Sequence, residues 1–275
     1  KGVFSSNIGF GLGITLSDFN GDLWPDLFIS NDFFEKDYLY LNNSGKGFSE
    51  ESSTYFDALS MGSMGADAAD MDNDGDIDII SASDGDDTIA WYENDGASDP
   101  SWSAANIDTN ADGAQDVHVA DMDNDGDLDL IINNVNMPAF VYENTLDTLA
   151  NRSLQVEFKS TTQNTSLIGT KIIAYVQSIP TQVAEHFPSK GFQSSVPHRL
   201  HLGIGNQKHV DSLQVIWPDG TGETFFDLAS NKLHTLSPSE SRKMHQPLIS
   251  AKEKQVFTQI KAFVYKHNEN NYVDF

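Results

Sequence analysis

Two stretches of this sequence bring carboxylates close enough together to hold a metal ion. "DMDNDGDIDII" runs from Asp70 to Ile80 and "DMDNDGDLDLI" from Asp121 to Ile131, with nine of eleven letters identical and Ile/Leu exchanges at the other two. In the earlier copy acids stand at positions 1, 3, 5 and 9 (Asp70, Asp72, Asp74, Asp78), with Gly75 at position 6. Alternate side chains of a tightly curled loop converge on one point, and hard oxygen donors converging there suit Ca2+, which takes about six to eight oxygens at roughly 2.3–2.6 Å. Gly at position 6 permits the sharp turn, and the carbonyl of position 7, Asp76, can add a ligand. The later copy repeats the set with Asp121, Asp123, Asp125, the Asp127 carbonyl and Asp129 around Gly126. A looser copy, "DFNGDLWPDLFI" from Asp18 to Ile29, offers Asp18, Asn20, Asp22, the Trp24 carbonyl and Asp26. It carries Leu23 at position 6, with its glycine (Gly21) upstream, so a weaker or altered site is expected there. Two to three Ca2+ ions are expected in all.

Acidic turns with solvated carboxylates are the plain alternative, since Asp, Asn and Gly are ordinary turn formers. Against it, four carboxylates within nine residues repel one another strongly unless a cation lies between them. An EF-hand needs Glu at position 12 and a helix on each side. Position 12 is Ile29, Ser81 or Ile132 here, and the flanks are strand-like.

The elements that must position these loops repeat with them. The three copies begin at residues 18, 70 and 121, spacings of 52 and 51 residues, which points to a repeat architecture. Upstream of each lies an alternating stretch ("GLGITLSDF", "GADAADM", "AQDVHVADM"). Downstream lies a β-rich run ("DLFISND", "DIDIISAS", "DLDLIINN"), then a second run ending in aromatic residues and Asn ("YLYLNNS", "TIAWYEND", "FVYENT"). Period-two patterning with β-branched and aromatic residues predicts three or four short antiparallel strands per unit, the size of one β-propeller blade.

These loops resemble the FG-GAP/VCBS repeats of β-propellers, whose Asp-x-Asp-x-Asp-Gly-x-x-Asp hairpins bind calcium. The resemblance covers roughly residues 7–145. It implies an all-β fold, with three propeller blades over 1–145.

After Asn144 the acidic repeats stop, and "TLDTLANRS" reads as a linker. The runs "LQVEFKS", "TKIIAYV", "RLHLGIG" and "SLQVIWPDG" predict a small β-sandwich-like domain over about 151–237, with Pro218 and Gly220 as breakers. "IGTKIIAYV", "GFQSSVPHRLHLGIG" and "VDSLQVIWPDG" resemble the ASPIC/UnbV domain that follows such repeats in cartilage acidic protein-like proteins. Thr170, Leu202 and Ile204 depart from that pattern, where Ala, Phe and Leu are expected. The resemblance implies a secreted or surface module and brings no catalytic residue with it. Residues 238–275 read as a linker and the start of a further repeat. "FTQIKAFVYKHNENNYVDF" resembles the lead-in to another propeller, with His267, Glu269 and Asn270 in its His-x-Glu-Asn phrase. Three blades are fewer than the ~4–8 of a closed propeller. The sequence, which begins at Lys1, is therefore expected to be a mature chain or an excised segment, completed by a longer protein or by a partner.

Composition narrows the function. With 41 acidic and 16 basic residues the formal charge is −25, which repels nucleic acid and anionic membrane surfaces and attracts cations. No cysteine is present, so disulfides and thiolate metal sites are excluded, and no apolar run approaches the ~18 residues of a membrane span. His186, His198, His201 and His209 gather in the second half, but their spacing matches no standard zinc pattern. Trp91, Tyr92 and Trp102 could stack on a sugar or pack inside a blade. Asn42, Asn151 and Asn164 begin Asn-x-Ser/Thr sequons, and Asp87-Thr88-Ile89, Asp147-Thr148-Leu149 and Asp211-Ser212-Leu213 resemble a bacterial O-glycosylation motif.

The expectation is a non-enzymatic, calcium-stabilised binding, adhesion or assembly module, extracellular or at a cell surface, including a bacterial outer membrane. Its partners would be a protein or glycan ligand, other propeller blades or a larger complex. A propeller-based polysaccharide lyase or hydrolase, and a carbohydrate-binding module, are the alternatives. No catalytic residue is assigned.

Overall fold

In the computed structural model, the period-two runs become antiparallel meanders. The structure describes residues 10–245 apart from 34, 58, 61, 98–99, 162–166 and 188–198. The lead-in phrase near His267, the Asn164 sequon and His198 lie outside the described residues.

The first repeat folds as β1 (Gly11–Ser17), β2 (Asp26–Asn31), β3 (Tyr38–Asn42) and β4 (Phe48–Glu50), hydrogen-bonded in that order. The second folds as β5 (Ser63–Ala69), β6 (Asp78–Ser83), β7 (Thr88–Asn94) and β8 (Trp102–Asp108), and the third as β9 (Ala114–Ala120), β10 (Asp129–Asn134) and β11 (Phe140–Tyr142). Each acidic phrase is the hairpin turn from the first strand of its blade to the second. The register Ser17 to Asp26, Ala69 to Asp78 and Ala120 to Asp129 places the position-9 aspartate opposite the residue just before position 1 every time. A single helical turn, α1 (Ser52–Tyr55), links the first two blades.

Neighbouring blades pack face to face, and their alternation is what makes this possible. Phe19, Phe28, Leu39, Leu41 and Phe56 of the first blade meet Ile79, Ala90, Tyr92 and Trp102 of the second. The opposite face of the second blade, with Ile80, Ala82 and Ile89, meets Val117, Val119, Leu130 and Ile132 of the third. Adjacent residues of β6, Ile79 and Ile80, thus serve two different cores, as successive side chains of a strand must. Each such side chain contributes roughly 1.5–3 kcal/mol on full burial.

The second half is a sandwich of two sheets. One orders β15 (Arg199–Gly203), β12 (Ser153–Phe158) and β18 (Leu233–Leu236), with β12 and β18 parallel. The other orders β14 (Gln182–Glu185), β13 (Lys171–Tyr175), β16 (His209–Ile216), β17 (Thr221–Ala229) and β19 (Lys243–Met244). Leu154, Val156 and Leu202 of one sheet and Ile172, Ala174, Val210, Leu213 and Val215 of the other share one core, closed by Trp217. The fold is all-β, as expected: propeller blades followed by a small sandwich.

Between the first two blades Asp37 is fully buried, accepting hydrogen bonds from the Asn31 N–H and the Ser63 hydroxyl, each at 2.8 Å. Burial raises its pKa to about 7, against the pull of those two donors. The unfolded value is about 3.9. Between the two values the folded chain holds a proton that the unfolded chain has lost, so this group's contribution to stability falls as pH rises from about 4 to about 7. Asp37→Asn, neutral throughout, is therefore expected to raise the melting temperature by several degrees at pH 8 and by little at pH 4. Equal shifts at the two pH values would contradict it.

Candidate metal centre

Each acidic loop is shaped by its own carboxylates before any metal is considered. Position 1 caps the turn in the first two loops. Asp18 accepts the N–H groups of Asp22 (3.1 Å) and Leu23 (2.7 Å), and Asp70 those of Asp74 (3.0 Å) and Gly75 (2.9 Å). Position 5 turns back on position 7: Asp22 accepts from Trp24, Asp74 from Asp76 and Asp125 from Asp127, at 2.9–3.2 Å. These are Asx turns, which Asp forms readily.

Position 9 lies beneath the loop. Asp26, Asp78 and Asp129 are buried, and each accepts two backbone N–H groups. One comes from position 2 (Phe19, Met71, Met122), the other from an asparagine at the end of the third strand or just beyond it (Asn42, Asn94, Asn144), at 2.7–3.0 Å. The asparagine side chains extend the pattern. Asn94 Nδ2 donates to Ile77 O of its own blade and to Phe19 O of the preceding one; Asn144 Nδ2 donates to Leu128 O and to Met71 O. The sequence shows these asparagines as the ends of the aromatic runs, but nothing in that pattern announces that they join one blade to the next. Asn42 is buried with its amide bonded to Pro25 O, so its sequon does not present a free acceptor for a glycan.

Positions 1, 3 and 9 converge. Asp70, Asp72 and Asp78, and likewise Asp121, Asp123 and Asp129, place one carboxylate oxygen each within 4.8 Å of the others. Asp74 and Asp125 are outside these groups, occupied with their turns. In the first loop position 3 is Asn20, and Asp18, Asp22 and Asp26 do not form such a group. Electrostatics marks the cluster of the second loop as short of positive charge. Burial, then repulsion from Asp74, Asp78 and Asp72, raises the Asp70 pKa. Burial raises Asp78 to about 8, and burial with the Asp74 charge raises Asp72 to about 6. In the first loop burial lifts Asp26 to about 6. Two buried oxygens of the third loop, Asp121 Oδ1 and Asp127 Oδ1, have no hydrogen-bond partner, although the Asp121 side chain is only 3% exposed. An acceptor left bare in the interior is costly unless a cation or donor meets it. Donor type, convergence and bare acceptors fit a hard divalent cation such as Ca2+, which would be held by positions 1, 3 and 9 with the carbonyl of position 7.

The other candidate groups are spoken for. His186 packs its ring against Phe158, His201 bonds Asn73 at 2.7 Å, and His209 pairs with Asp227 at 3.0 Å, three separate settings. Tyr92 and Trp102 are buried in the blade core and Trp91 packs against the next core, so their faces are not open to a sugar.

Backbone geometry separates the first loop from the others. Position 6 has positive φ in all three: +112° at Gly75, +103° at Gly126 and +69° at Leu23. A side chain in that region costs roughly 1–2 kcal/mol, while glycine costs roughly 0.5–1 kcal/mol of unfolded-state entropy. Leu23 is half exposed and loses little by removal. Leu23→Gly is expected to stabilise the protein by about 0.5–1 kcal/mol, raising the melting temperature by a degree or more and tightening metal binding at the first loop. A lower melting temperature would argue against strain at Leu23.

Comparison with known families agrees with this anatomy. A family model described as FG-GAP-like repeat matches residues 18–81 and 70–132, and one described as ASPIC and UnbV matches residues 160–243. No curated protein matches the chain.

Proposed function

We propose that this chain, FG-GAP-like repeats followed by an ASPIC and UnbV domain, is a non-enzymatic binding and assembly module of the cell exterior or surface, stiffened by calcium in its acidic loops. FG-GAP repeats are typical of extracellular proteins and generally mediate protein interactions. Among the described residues no helix is long and apolar enough to cross a membrane.

The observation that carries the assembly reading is the open face of β1. Leu12, Ile14 and Leu16 lie on one side of that strand and are 50%, 63% and 65% exposed. They stand six, four and two residues before Asp18. The same offsets before Asp70 give Met64, Ala66 and Ala68, and before Asp121 they give Gln115, Val117 and Val119. Ala66, Ala68, Val117 and Val119 pack against the preceding blade. Asn42 repeats the theme: Asn94 and Asn144 each donate from Nδ2 to a carbonyl of the preceding blade as well as to one of their own, and among the described residues Asn42 Nδ2 donates to its own blade alone, at Pro25 O. The first blade thus presents the donor half of an inter-blade contact, and the occupant it suits is a further blade of the same repeat kind, which would supply the accepting carbonyl. A photo-cross-linking phenylalanine analogue at Ile14, in the protein in its native cells, is expected to yield an adduct with a peptide carrying an acidic loop of this type. No adduct, or an adduct only with unrelated sequence, would count against the reading.

The calcium part has its own check. With Ca2+ at about 1 mM and a Kd of ~0.1 mM, each site adds about 1.4 kcal/mol. EDTA is expected to lower the melting temperature by several degrees, and elemental analysis to find two to three calcium ions per chain. An unchanged melt with no bound metal removes calcium from the proposal.

A further inference from the structure

The second and third acidic loops differ from the first in what covers them. Strands β12 and β15 of the C-terminal sandwich, with Gln182 at the start of β14, sit on both. On the second loop, Gly205 N–H donates to Asn73 O at 2.7 Å, His201 Nε2 meets Asn73 Oδ1 at 2.7 Å, and Gln182 Nε2 donates to Gly75 O at 2.9 Å. Gly203 approaches so closely that a Cβ there would lie 1.9 Å from Asp70 Oδ2 and 2.5 Å from the Asn73 Cα. On the third loop, the Ser153 hydroxyl donates to Gly126 O at 3.1 Å and Gln155 Nε2 to Asp121 Oδ2 at 2.6 Å. Arg199 donates to Asn124 Oδ1 at 3.1 Å and lies 3.9 Å from Asp121 Oδ2. The two loops also touch each other, Asn73 Nδ2 to Gly126 O at 3.4 Å.

Most of these anchors belong to the curled loop rather than to its ligand side chains. Asn73 O, Asn73 Oδ1, Gly75 O and Gly126 O point at the sandwich only while Asn73, at φ +60°, and the glycines at position 6 hold the turn. The same turn gathers Asp70, Asp72 and Asp78. Their mutual repulsion opposes it, and a bound cation removes that opposition. A second sign that the third loop awaits a cation is the buried, unpartnered Asp121 Oδ1.

We infer that the second and third loops form a calcium-dependent clasp for the C-terminal domain: metal binding sets the loop conformation on which the sandwich docks, and docking in turn tightens metal binding. The reciprocity is required by linkage, because a coupling free energy acts equally on both equilibria. The first loop makes none of these contacts among the described residues and stands apart from the clasp. The inference rests on the calcium reading above.

Hydrogen exchange on the whole chain separates the two ideas, with calorimetry reporting calcium binding on the same samples. Calcium is expected to slow exchange of the 199–207 segment tenfold or more. Leu213–Val215, in the sandwich core, should change less than twofold. Asn73→Gly keeps the positive φ and all candidate ligands but removes the side-chain bonds to His201 and Gly126 O, and is expected to lose most of that protection. Gln182→Ala, far from every candidate ligand in sequence, is expected to weaken calcium binding three- to tenfold. Calcium bound without added protection at 199–207 overturns the clasp and leaves the calcium reading intact. So does unaltered calcium affinity in a folded Gln182→Ala variant together with unaltered protection in Asn73→Gly. No calcium bound at all overturns both.

Discussion

Beneath each acidic loop one buried aspartate ties three pieces of chain together. Asp26, Asp78 and Asp129 open the second strand of their blades, receive the N–H of loop position 2, and receive a second N–H from the asparagine at or just after the end of the third strand. A carboxylate accepting two backbone donors satisfies groups that would otherwise be stranded in the interior. It also fixes the register of the hairpin, so that position 1 and position 3 arrive over the same point. The acidic cluster of the second and third loops, the blade and the joint between blades all meet at this one side chain.

Depth carries an electrostatic penalty in the first two loops. Burial lifts Asp78 to about 8 and Asp26 to about 6, because the low-dielectric interior disfavours the charge that the two amides hold in place. The loop is thus a compromise between packing and electrostatics. Packing wants the carboxyl deep; the neighbouring carboxylates want a cation near it. The third loop shows the compromise unsettled: Asp121 leans toward Gln155 with one oxygen and leaves the other bare.

Much of this was legible in the sequence, for identifiable reasons. The runs around residues 11–17, 26–31, 63–69 and 78–83 are strands because successive side chains turn to opposite faces of the sheet and their β-branched and apolar residues suit that pleat. The acidic phrases are hairpin turns because Asp, Asn and Gly accept positive φ there. The runs 153–158, 171–175, 199–203 and 209–216 also appear as strands. What stayed hidden was long-range. Strands β14, β17, β18 and β19 carry too little alternation to stand out, and β17 has no fully buried residue along its length. The short helix at Ser52–Tyr55 has no capping signature. Above all, no local pattern reveals that Asn73, which stands between Asp72 and Asp74, meets His201 across 128 residues of chain. The spacing also names position 5 as a ligand, and there Asp74 and Asp125 each accept one backbone amide with Oδ1, a bond that the spacing alone does not announce.

The asparagine bridges have a geometric corollary. Asn94 and Asn144 give, and the carbonyls of Phe19 and Met71 receive, so the second blade has a donor flank and an acceptor flank that are unlike. Two donor flanks cannot pair, and a two-fold axis cannot run through such a contact. Blades joined this way stack head to tail, and a head-to-tail contact has only two outcomes: a ring when the accumulated rotation closes, or an open-ended filament when it does not. A single amide per repeat thereby gives the whole array a direction.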